Sequence, residues 1–213
     1  MHRIAKGLAV TAALAAIQAH ATVLTFDGNI CDGPGNSCTN GRDILQSYGD
    51  QPGALDVTYE RNLDIPGTAP LSFWNTQYSN LVNVAFGAGI SGTGAAEIFL
   101  NPEPGYTVTL NGLALGAWPS QNRMSQLTIL GGDGTSLFAS GPITVLGATA
   151  SSFGFALTHP DGIRIQWGPN AYYVGIDNID FTLEGLLAIP EPSALALLAI
   201  GVAVLAWGTR RRS

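Results

Sequence analysis

The stretch Tyr106–Ala117, which reads YTVTLNGLALGA, alternates apolar and polar side chains, as expected of a β-strand with one buried face. Up to residue 110 the apolar side chains occupy even positions, and from residue 113 they occupy odd positions. A hairpin turn at Asn111-Gly112 and a β-bulge within one strand would each produce this shift. We interpret it as a bulge in one long, bent strand.

The stretch that begins at Tyr172 shows a second shift of the same kind. Its apolar side chains occupy even positions up to Ile176 and odd positions from Ile179, so the shift falls at Asp177-Asn178. Either the strand bulges there, or Asp177 points toward the core. A buried carboxylate needs a cation or several N–H donors, because an uncompensated buried charge is very costly.

Residues 22–188 contain many more short apolar and β-branched runs, separated by Gly, Pro, Asn and Asp. No internal segment shows a sustained helical period. The pattern predicts an all-β domain, an antiparallel two-sheet β-sandwich of the jelly-roll type. The predicted strands are Val23–Phe26, Leu55–Tyr59, Leu71–Trp74, Leu81–Phe86, Ala95–Leu100, Tyr106–Ala117, Gln126–Leu130, Leu137–Ala139, Ile143–Val145, Ser152–Thr158, Gly162–Trp167 and Tyr172–Leu183.

The composition of residues 22–188 limits the classes of partner. This segment is long enough for one domain with its own core. It contains four arginines, no lysine and fourteen acidic residues, which gives a net charge of −10. Such a surface repels phosphate backbones, so we expect no nucleic-acid partner. It suits an exported protein that recruits divalent cations or stays soluble in a matrix.

The C-terminal end has three consecutive parts: Pro190-Glu191-Pro192, the apolar run Ala194–Trp207, and Arg210-Arg211-Arg212. A helix that is apolar on every face lies either inside a protein or in a bilayer. Here the prolines give the helix a fixed start, and the arginines give it a cationic end that stays on the cytoplasmic side. We therefore predict a transmembrane helix over residues 194–209.

This arrangement over residues 189–213 resembles the PEP-CTERM sorting signal of Gram-negative bacteria, in which a Pro-Glu-Pro motif, a short transmembrane helix and a terminal Arg cluster follow one another. The resemblance implies processing near the motif by an exosortase, a membrane-embedded cysteine transpeptidase. It also implies transfer from the inner membrane to the cell surface or the extracellular polysaccharide matrix. The alternative is a plain membrane anchor without sorting.

A second Pro-Glu-Pro tripeptide, Pro102–Pro104, serves as an internal comparison. It is followed by neither an apolar helix nor an Arg cluster. We predict a turn between two strands at that position.

The N-terminal residues 1–21 combine basic residues, an apolar run from Gly7 to Ile17, and Ala19-His20-Ala21. A positive region, an apolar region and a small-x-small site are typical of a secretory signal peptide. We predict export by the Sec machinery and cleavage after Ala21.

Cys31 and Cys38 enclose a loop rich in Gly, Pro and Asn. In an exported chain such a pair is most simply a local disulfide. A zinc site would need two more ligands, and His159 is the sole histidine of residues 22–188. We predict a disulfide that acts as a clasp.

Two short motifs resemble the galactose-binding-like β-jelly rolls, a group that includes many carbohydrate-binding modules. They are Phe26-Asp27-Gly28-Asn29 near the start of the domain and Ile176-Asp177-Asn178-Ile179 in its last strand. The resemblance implies one structural calcium held by Asp27 and Asp177, with Asn29 as a weaker ligand. The alternative is that Asp177 caps backbone amides at a bulge, since calcium takes about six to eight oxygens.

Trp74, Trp118 and Trp167 each close a predicted strand next to a turn. Aromatic rings at a loop rim can form a stacking platform for a polysaccharide, which Tyr172 and Tyr173 would extend. The alternative is that the three tryptophans seal the open ends of the sandwich.

Motifs for catalysis are not found in the sequence. His159 precedes Pro160-Asp161-Gly162 and indicates a turn, and neither a nucleophile elbow nor a His-rich metal motif is present. We expect a noncatalytic exported protein with a structural or adhesive role and weak glycan binding. A dedicated carbohydrate-binding module and a secreted glycoside hydrolase are the alternatives, and the hydrolase requires two carboxylates about 5 to 10 Å apart across a cleft.

Overall fold

The computed structural model describes residues 19–65, 67, 70–87 and 94–186, which contain eleven β-strands and a short 3-10 turn, Pro34–Asn36. The strands are β1 (Ala19–Leu24), β2 (Leu55–Glu60), β3 (Ser72–Trp74), β4 (Val84–Phe86), β5 (Ala96–Pro102), β6 (Tyr106–Ala117), β7 (Arg123–Gly131), β8 (Ser136–Val145), β9 (Ser151–His159), β10 (Ile163–Gly168) and β11 (Val174–Gly185).

These strands form two antiparallel sheets. The six-stranded sheet has the order β3-β4-β11-β6-β9, with β1 also paired to β11, and the five-stranded sheet has the order β2-β5-β10-β7-β8. One cluster of buried side chains draws on both sheets, so their inner faces form a shared core. The predicted all-β, two-sheet sandwich is therefore confirmed.

The core follows from the period of two in the central strands. In β5 and β10, Ile98, Leu100, Ile163 and Ile165 are fully buried, while the residues between them turn to the outer face. Polar and charged side chains occupy most of those outer positions, as a sandwich requires.

Both predicted phase shifts are β-bulges. Strand β6 runs unbroken from Tyr106 to Ala117, and its register with β11 shifts between Gly112, opposite Asp180, and Leu110, opposite Phe181, which leaves Asn111 as the extra residue. Strand β11 shifts its register with β6 between Asp177 and Asp180. The extra residues let each strand keep apolar side chains on the core side before and after the bulge.

Apart from those of β6, the strand boundaries differ from the prediction, and three of the differences are the most informative. Strand β1 begins at Ala19 and ends at Leu24, because Phe26 leaves the extended conformation with φ 52°. Strand β4 has only three residues, Val84–Phe86. The two predicted strands at 137–139 and 143–145 are one strand, β8, which continues through Gly141-Pro142.

Of the two predicted terminal segments, residues 1–21 and 189–213, the structure describes only residues 19–21. The predicted signal cleavage after Ala21 falls inside β1, which pairs with β11 from Ala19↔Glu184 to Leu24↔Ile179. The predicted transmembrane helix, 194–209, and the sorting motif lie outside the described residues. Within the described ranges, none of the helical segments has the length and hydrophobicity needed to span a bilayer.

The internal Pro-Glu-Pro tripeptide lies where β5 ends and β6 begins. Glu103 accepts a backbone hydrogen bond from the N–H of Tyr106 at 3.0 Å, which closes a turn. The predicted turn between strands is confirmed.

Candidate functional site

In the folded chain the two calcium candidates, Asp27 and Asp177, interact electrostatically. Asp177 lies opposite Ala114 in the β6–β11 pair, on the outer face of the six-stranded sheet. Asp27 follows β1 and accepts a hydrogen bond from the Asn83 amide at 2.5 Å. The negative charge of Asp27 acts on Asp177 and disfavours its ionisation.

Burial of Asp177 gives its carboxyl group an unusual pKa. Its relative exposure is 4%. Loss of solvation is the main cause that raises its pKa from 3.8 to about 7, and Asp27 adds to the rise. The backbone N–H of Asn178, at 2.7 Å, acts in the opposite direction, and the Asn178 amide also donates at 3.0 Å.

The backbone around this carboxylate pair is conformationally restricted. Phe26, Asn83 and Asn178 have φ values of 52°, 62° and 52°. A positive φ is uncommon for residues other than glycine and is an outlier for a bulky side chain such as Phe. The N–H of Phe26 donates to the Tyr48 hydroxyl at 3.1 Å, which helps to hold this conformation. Strained positions of this kind occur often at ligand sites.

Asp27 and Asp177 are the residues that could hold a divalent cation here. The negative charge of Asp27 acts on the buried carboxylate of Asp177, and both hydrogen bonds to that carboxylate within the described residues come from one neighbour, Asn178. A cation would replace the solvation that the Asp177 carboxylate has lost. The alternative is that Asp177 caps backbone amides at the bulge. One such hydrogen bond is present, because the N–H of Asn178 donates to Asp177.

Trp74 and Trp118 lie together in a second hydrophobic cluster on the outer face of the six-stranded sheet. Their rings meet edge to face, with centroids 5.8 Å apart, and both side chains are partly exposed. Tyr172 packs against Trp118 at 6.3 Å, and Tyr173 stacks on Trp118 at 6.0 Å. We call these four residues the aromatic cluster. They include the two tyrosines that the sequence analysis placed beside the tryptophans.

Small residues make room for the ring that supports the aromatic cluster. A Cβ atom on Gly175 would lie 2.9 Å from Cδ1 of Tyr78, and one on Gly116 would overlap the Tyr78 carbonyl group. The Tyr78 hydroxyl donates to the Tyr172 carbonyl at 2.6 Å. The loop before β4 can therefore pack flat on the sheet.

Arg123 fixes the position of Trp118 and Tyr173, and the indole N–H of Trp118 is an unused donor. The Arg123 guanidinium lies 4.3 Å from the ring centre of Tyr173 and donates from Nε to the Trp118 carbonyl at 2.8 Å. The buried indole N–H of Trp118 has no hydrogen-bond acceptor among the described residues. A buried donor without a partner is costly, so an additional acceptor at this position would be stabilising.

Trp167 does not belong to the aromatic cluster, and the stacking role predicted for it must be corrected. Its side chain is 1% exposed within the core, and its indole N–H donates to the Val174 carbonyl at 2.7 Å. Strand β10 turns this residue inward together with Ile163 and Ile165. For Trp167 the alternative interpretation, a tryptophan that seals the sandwich, describes the structure.

The predicted disulfide between Cys31 and Cys38 is present. The N–H of Cys31 donates to the Asn36 carbonyl at 3.1 Å within the loop that the disulfide closes. Arg42 lies 3.8 Å from Asp32 at the surface of this loop. We call residues 28–40 the clasped loop.

A cluster of Asp133, His159 and Asp161 was not anticipated from the sequence. Their ligand atoms lie within 4.8 Å of one another, where the β7–β8 turn meets the β9–β10 turn. The sequence indicated each turn, but their contact depends on the pairing of β7 with β10.

Hydrogen bonding favours a structural role for this cluster. The N–H of Asp161 donates to Nδ1 of His159 at 3.2 Å, so in the neutral imidazole the proton is on Nε2, 3.5 Å from Asp133. Asp133 also accepts from the N–H and the hydroxyl of Thr135, both at 2.9 Å, and these two bonds lower its pKa. The cluster therefore joins two turns through internal bonds.

The outer face of the five-stranded sheet carries a fixed polar group that the sequence analysis also missed. Glu97 is 7% exposed, and its two oxygens accept hydrogen bonds from Arg164 and Gln166, both at 2.7 Å. The Arg164 guanidinium lies 4.0 Å from the ring centre of Phe99. Since both oxygens are satisfied, this network stabilises the β5–β10 pair.

Comparison with solved structures gives matches at low identity and low TM-score, two of which are as follows. One, described as "CBM4 structure and function", is 15% identical with a TM-score of 0.34, and the match covers 75% of this chain and 95% of that chain. The other is the enzymatically active domain of tailspike protein 4 of bacteriophage CBA120, 13% identical with a TM-score of 0.23, covering 77% of this chain and 22% of that one. No curated protein matches the chain.

Comparison with protein-family models gives a match at the C-terminal end. Residues 188–212 match the PEP-CTERM protein-sorting motif. This range contains Pro190-Glu191-Pro192, the apolar run and the three arginines that suggested the resemblance. The chain thus carries a PEP-CTERM protein-sorting motif, a signal for exosortase processing, which marks it as an exported protein.

Proposed function

We propose that the chain is a noncatalytic protein of the cell surface or the extracellular polysaccharide matrix, with a structural or adhesive role and weak glycan binding. The observation that carries the proposal is the sorting motif joined to a β-sandwich with a partly exposed aromatic cluster. A Gram-negative cell would export the chain through the Sec machinery, guided by residues 1–21. Its exosortase would then process the chain at the inner membrane.

The chemistry of the aromatic cluster supports contact with sugars. The partly exposed rings of Trp74 and Trp118 offer apolar faces on which the C–H face of a pyranose can pack. Partial burial of the rings leaves only a small contact area, so the binding is weak.

We include one structural calcium in the proposal, held by Asp27 and Asp177. Its role is to neutralise the buried carboxylate of Asp177 and to join the segment after β1 to β11. Backbone carbonyls and water would supply the remaining oxygens that calcium requires.

The proposal is tested by fractionating the cells that export the protein and by measuring retention on insoluble polysaccharides. We expect the processed protein in the surface or matrix fraction, and retention that decreases when a chelator is added. Trp74→Ala and Trp118→Ala should reduce retention several-fold. Phe155→Ala, which removes a ring from a separate aromatic group on β9, is the matched control and should not.

The outcomes separate the parts of the proposal. Protein found only inside the cell contradicts surface or matrix localisation. Retention that is unchanged in both tryptophan variants contradicts the role of the aromatic cluster. Release of soluble sugars from the polysaccharide contradicts the noncatalytic assignment and favours the secreted glycoside hydrolase.

A further inference from the structure

An open cleft lies between the clasped loop, the end of β3 and the segment that precedes β4. Its volume is about 520 Å³, within the range of roughly 300–1,000 Å³ typical of small-molecule sites. Four asparagines line it, together with Thr39 and Phe73: Asn29, Asn40, Asn75 and Asn83. We call it the amide-lined cleft.

Hydrogen bonds hold the walls of the cleft in fixed positions. The N–H of Asn75 donates to Oδ1 of Asn40 at 2.9 Å, and the N–H of Asn83 donates to the Asn75 carbonyl at 3.2 Å. The N–H of Gly41 donates to the Phe73 carbonyl at 2.8 Å, and the disulfide closes the loop on the other side. A site ordered before binding loses less entropy when a ligand enters.

Several amide groups in the cleft keep unused hydrogen-bonding capacity. The Asn29 side chain makes no hydrogen bond to another described residue. The side-chain NH₂ groups of Asn40 and Asn75 likewise have no acceptor within the described ranges, although the oxygen of each accepts one bond. Each amide can present two donors and one acceptor in a single plane.

The lining determines the class of ligand. No described residue that lines the cleft carries a charge, so the ion pairing that a phosphate or carboxylate group requires is missing. An apolar ligand would bury the amides without partners, which is costly.

The remaining class is an uncharged molecule with many hydroxyl groups, each of which both donates and accepts. We infer that the amide-lined cleft binds the neutral sugar units of a polysaccharide. This inference rests on the proposed function and adds the site and the kind of sugar. A rigid cleft of this kind can select one glycan, which an aromatic cluster alone cannot.

The test measures oligosaccharide binding by the processed protein purified from the cells that export it. The probes are neutral oligosaccharides of glucan, xylan and mannan and one anionic oligosaccharide of polygalacturonate. Calorimetry measures the affinity of each probe, and NMR of the asparagine side-chain amides reports where it binds. We expect a neutral oligosaccharide to bind and to shift the amide signals of Asn29 and Asn75.

Variants identify the cleft as the site. The double variant Asn29→Ala with Asn75→Ala should bind about 10-fold more weakly or worse, because two uncharged hydrogen bonds to the sugar are lost. Asn101→Ala, at a partly exposed position on β5, is the matched control and should bind like the unmodified protein. A thermal melt of each variant checks that it is folded.

Each of three results would overturn the inference: equal affinity in the double variant and the control, tighter binding of the anionic oligosaccharide, or no shift of the side-chain amide signals with any neutral probe. None of these decides the proposed function. That depends on cell fractionation, retention on insoluble polysaccharide and the tryptophan variants.

Discussion

The carboxyl group of Asp177 couples the stability of the sandwich to pH. Its pKa is about 7 in the folded chain, against 3.8 as the ordinary value. The folded state therefore holds a proton that the unfolded state has lost between about pH 4 and 7. The contribution of this group to stability is complete below pH 4 and falls as the pH rises through 7.

For the chain without added cations, we predict that Asp177→Asn removes this pH dependence. Each pH unit corresponds to about 1.4 kcal/mol, so between pH 5 and 8 the Asp177 carboxyl group costs the unmodified protein on the order of 2 kcal/mol of unfolding free energy. The variant should lose much less over that interval and be the more stable protein at pH 8. Urea denaturation at the two pH values measures the difference.

At pH 8, where the ionised Asp177 carboxylate destabilises the unmodified protein, added calcium should restore stability. It should raise the melting temperature of the unmodified protein and leave that of Asp177→Asn unchanged, because the variant lacks the buried charge. Asp27→Asn is the second comparison: it should lower the pKa of Asp177 by removing a negative neighbour. An equal calcium response in the unmodified protein and in Asp177→Asn would argue against the calcium site.

The sequence identifies Asp177 as an unusual position, but it does not reveal that the carboxyl group is buried with a raised pKa. The phase shift in β11 marks position 177 because the period of two is a local property. The surroundings of the carboxylate include its strand partner Ala114 in β6 and the negative charge of Asp27, and both residues are distant in sequence. The amide-lined cleft was missed for the same reason, because its asparagines come from three separate segments and none forms a motif.

At the scale of the elements, the bulge in β11 depends on one residue with a left-handed backbone. Asn178 has φ 52° and is exposed, and asparagine tolerates this conformation better than most residues. The extra residue at the bulge lets Ile176 and Ile179 both reach the core.

We predict that Asn178→Ala is less stable than Asn178→Gly by about 1 kcal/mol, because only alanine carries a Cβ atom at a positive φ. Both variants lose the amide bond to Asp177, so their difference isolates the backbone effect. At Ser152, exposed on the regular strand β9, the order should reverse and alanine should be the more stable. Chemical denaturation of the four variants gives both differences. Equal stability of the two Asn178 variants would contradict this account.

The existence of most strands follows from the sequence, but several of their boundaries do not. Strand β6 has the predicted bounds because its alternation is long and regular. Strand β8 was predicted as two pieces, since Gly141-Pro142 is typical of a break. Pairing with β7 carries the strand through this point, with a register shift nearby, and only the partner strand determines that.

At the scale of the whole molecule, the two ends of the described chain lie side by side in the six-stranded sheet. Strand β1 pairs with β11, so Ala21 lies opposite Thr182, shortly before the sorting motif begins at residue 188. Removal of residues 1–21 would leave Thr22–Leu24 of β1 paired with β11.

The sorting motif can be read from the sequence because all of its parts are contiguous, and this allows a direct test. We predict that Glu191→Ala blocks processing, so that the chain keeps residues 189–213 and stays in the membrane fraction. The matched control is Glu103→Ala in the internal Pro-Glu-Pro, which forms an exposed turn between β5 and β6 and should be processed like the unmodified chain. Immunoblots of membrane and matrix fractions from exporting cells, with mass spectrometry of the C-terminal end, measure both outcomes. If Glu191→Ala reached the matrix as efficiently as Glu103→Ala, the acidic residue of the motif would not be needed for recognition, and the prediction would be wrong.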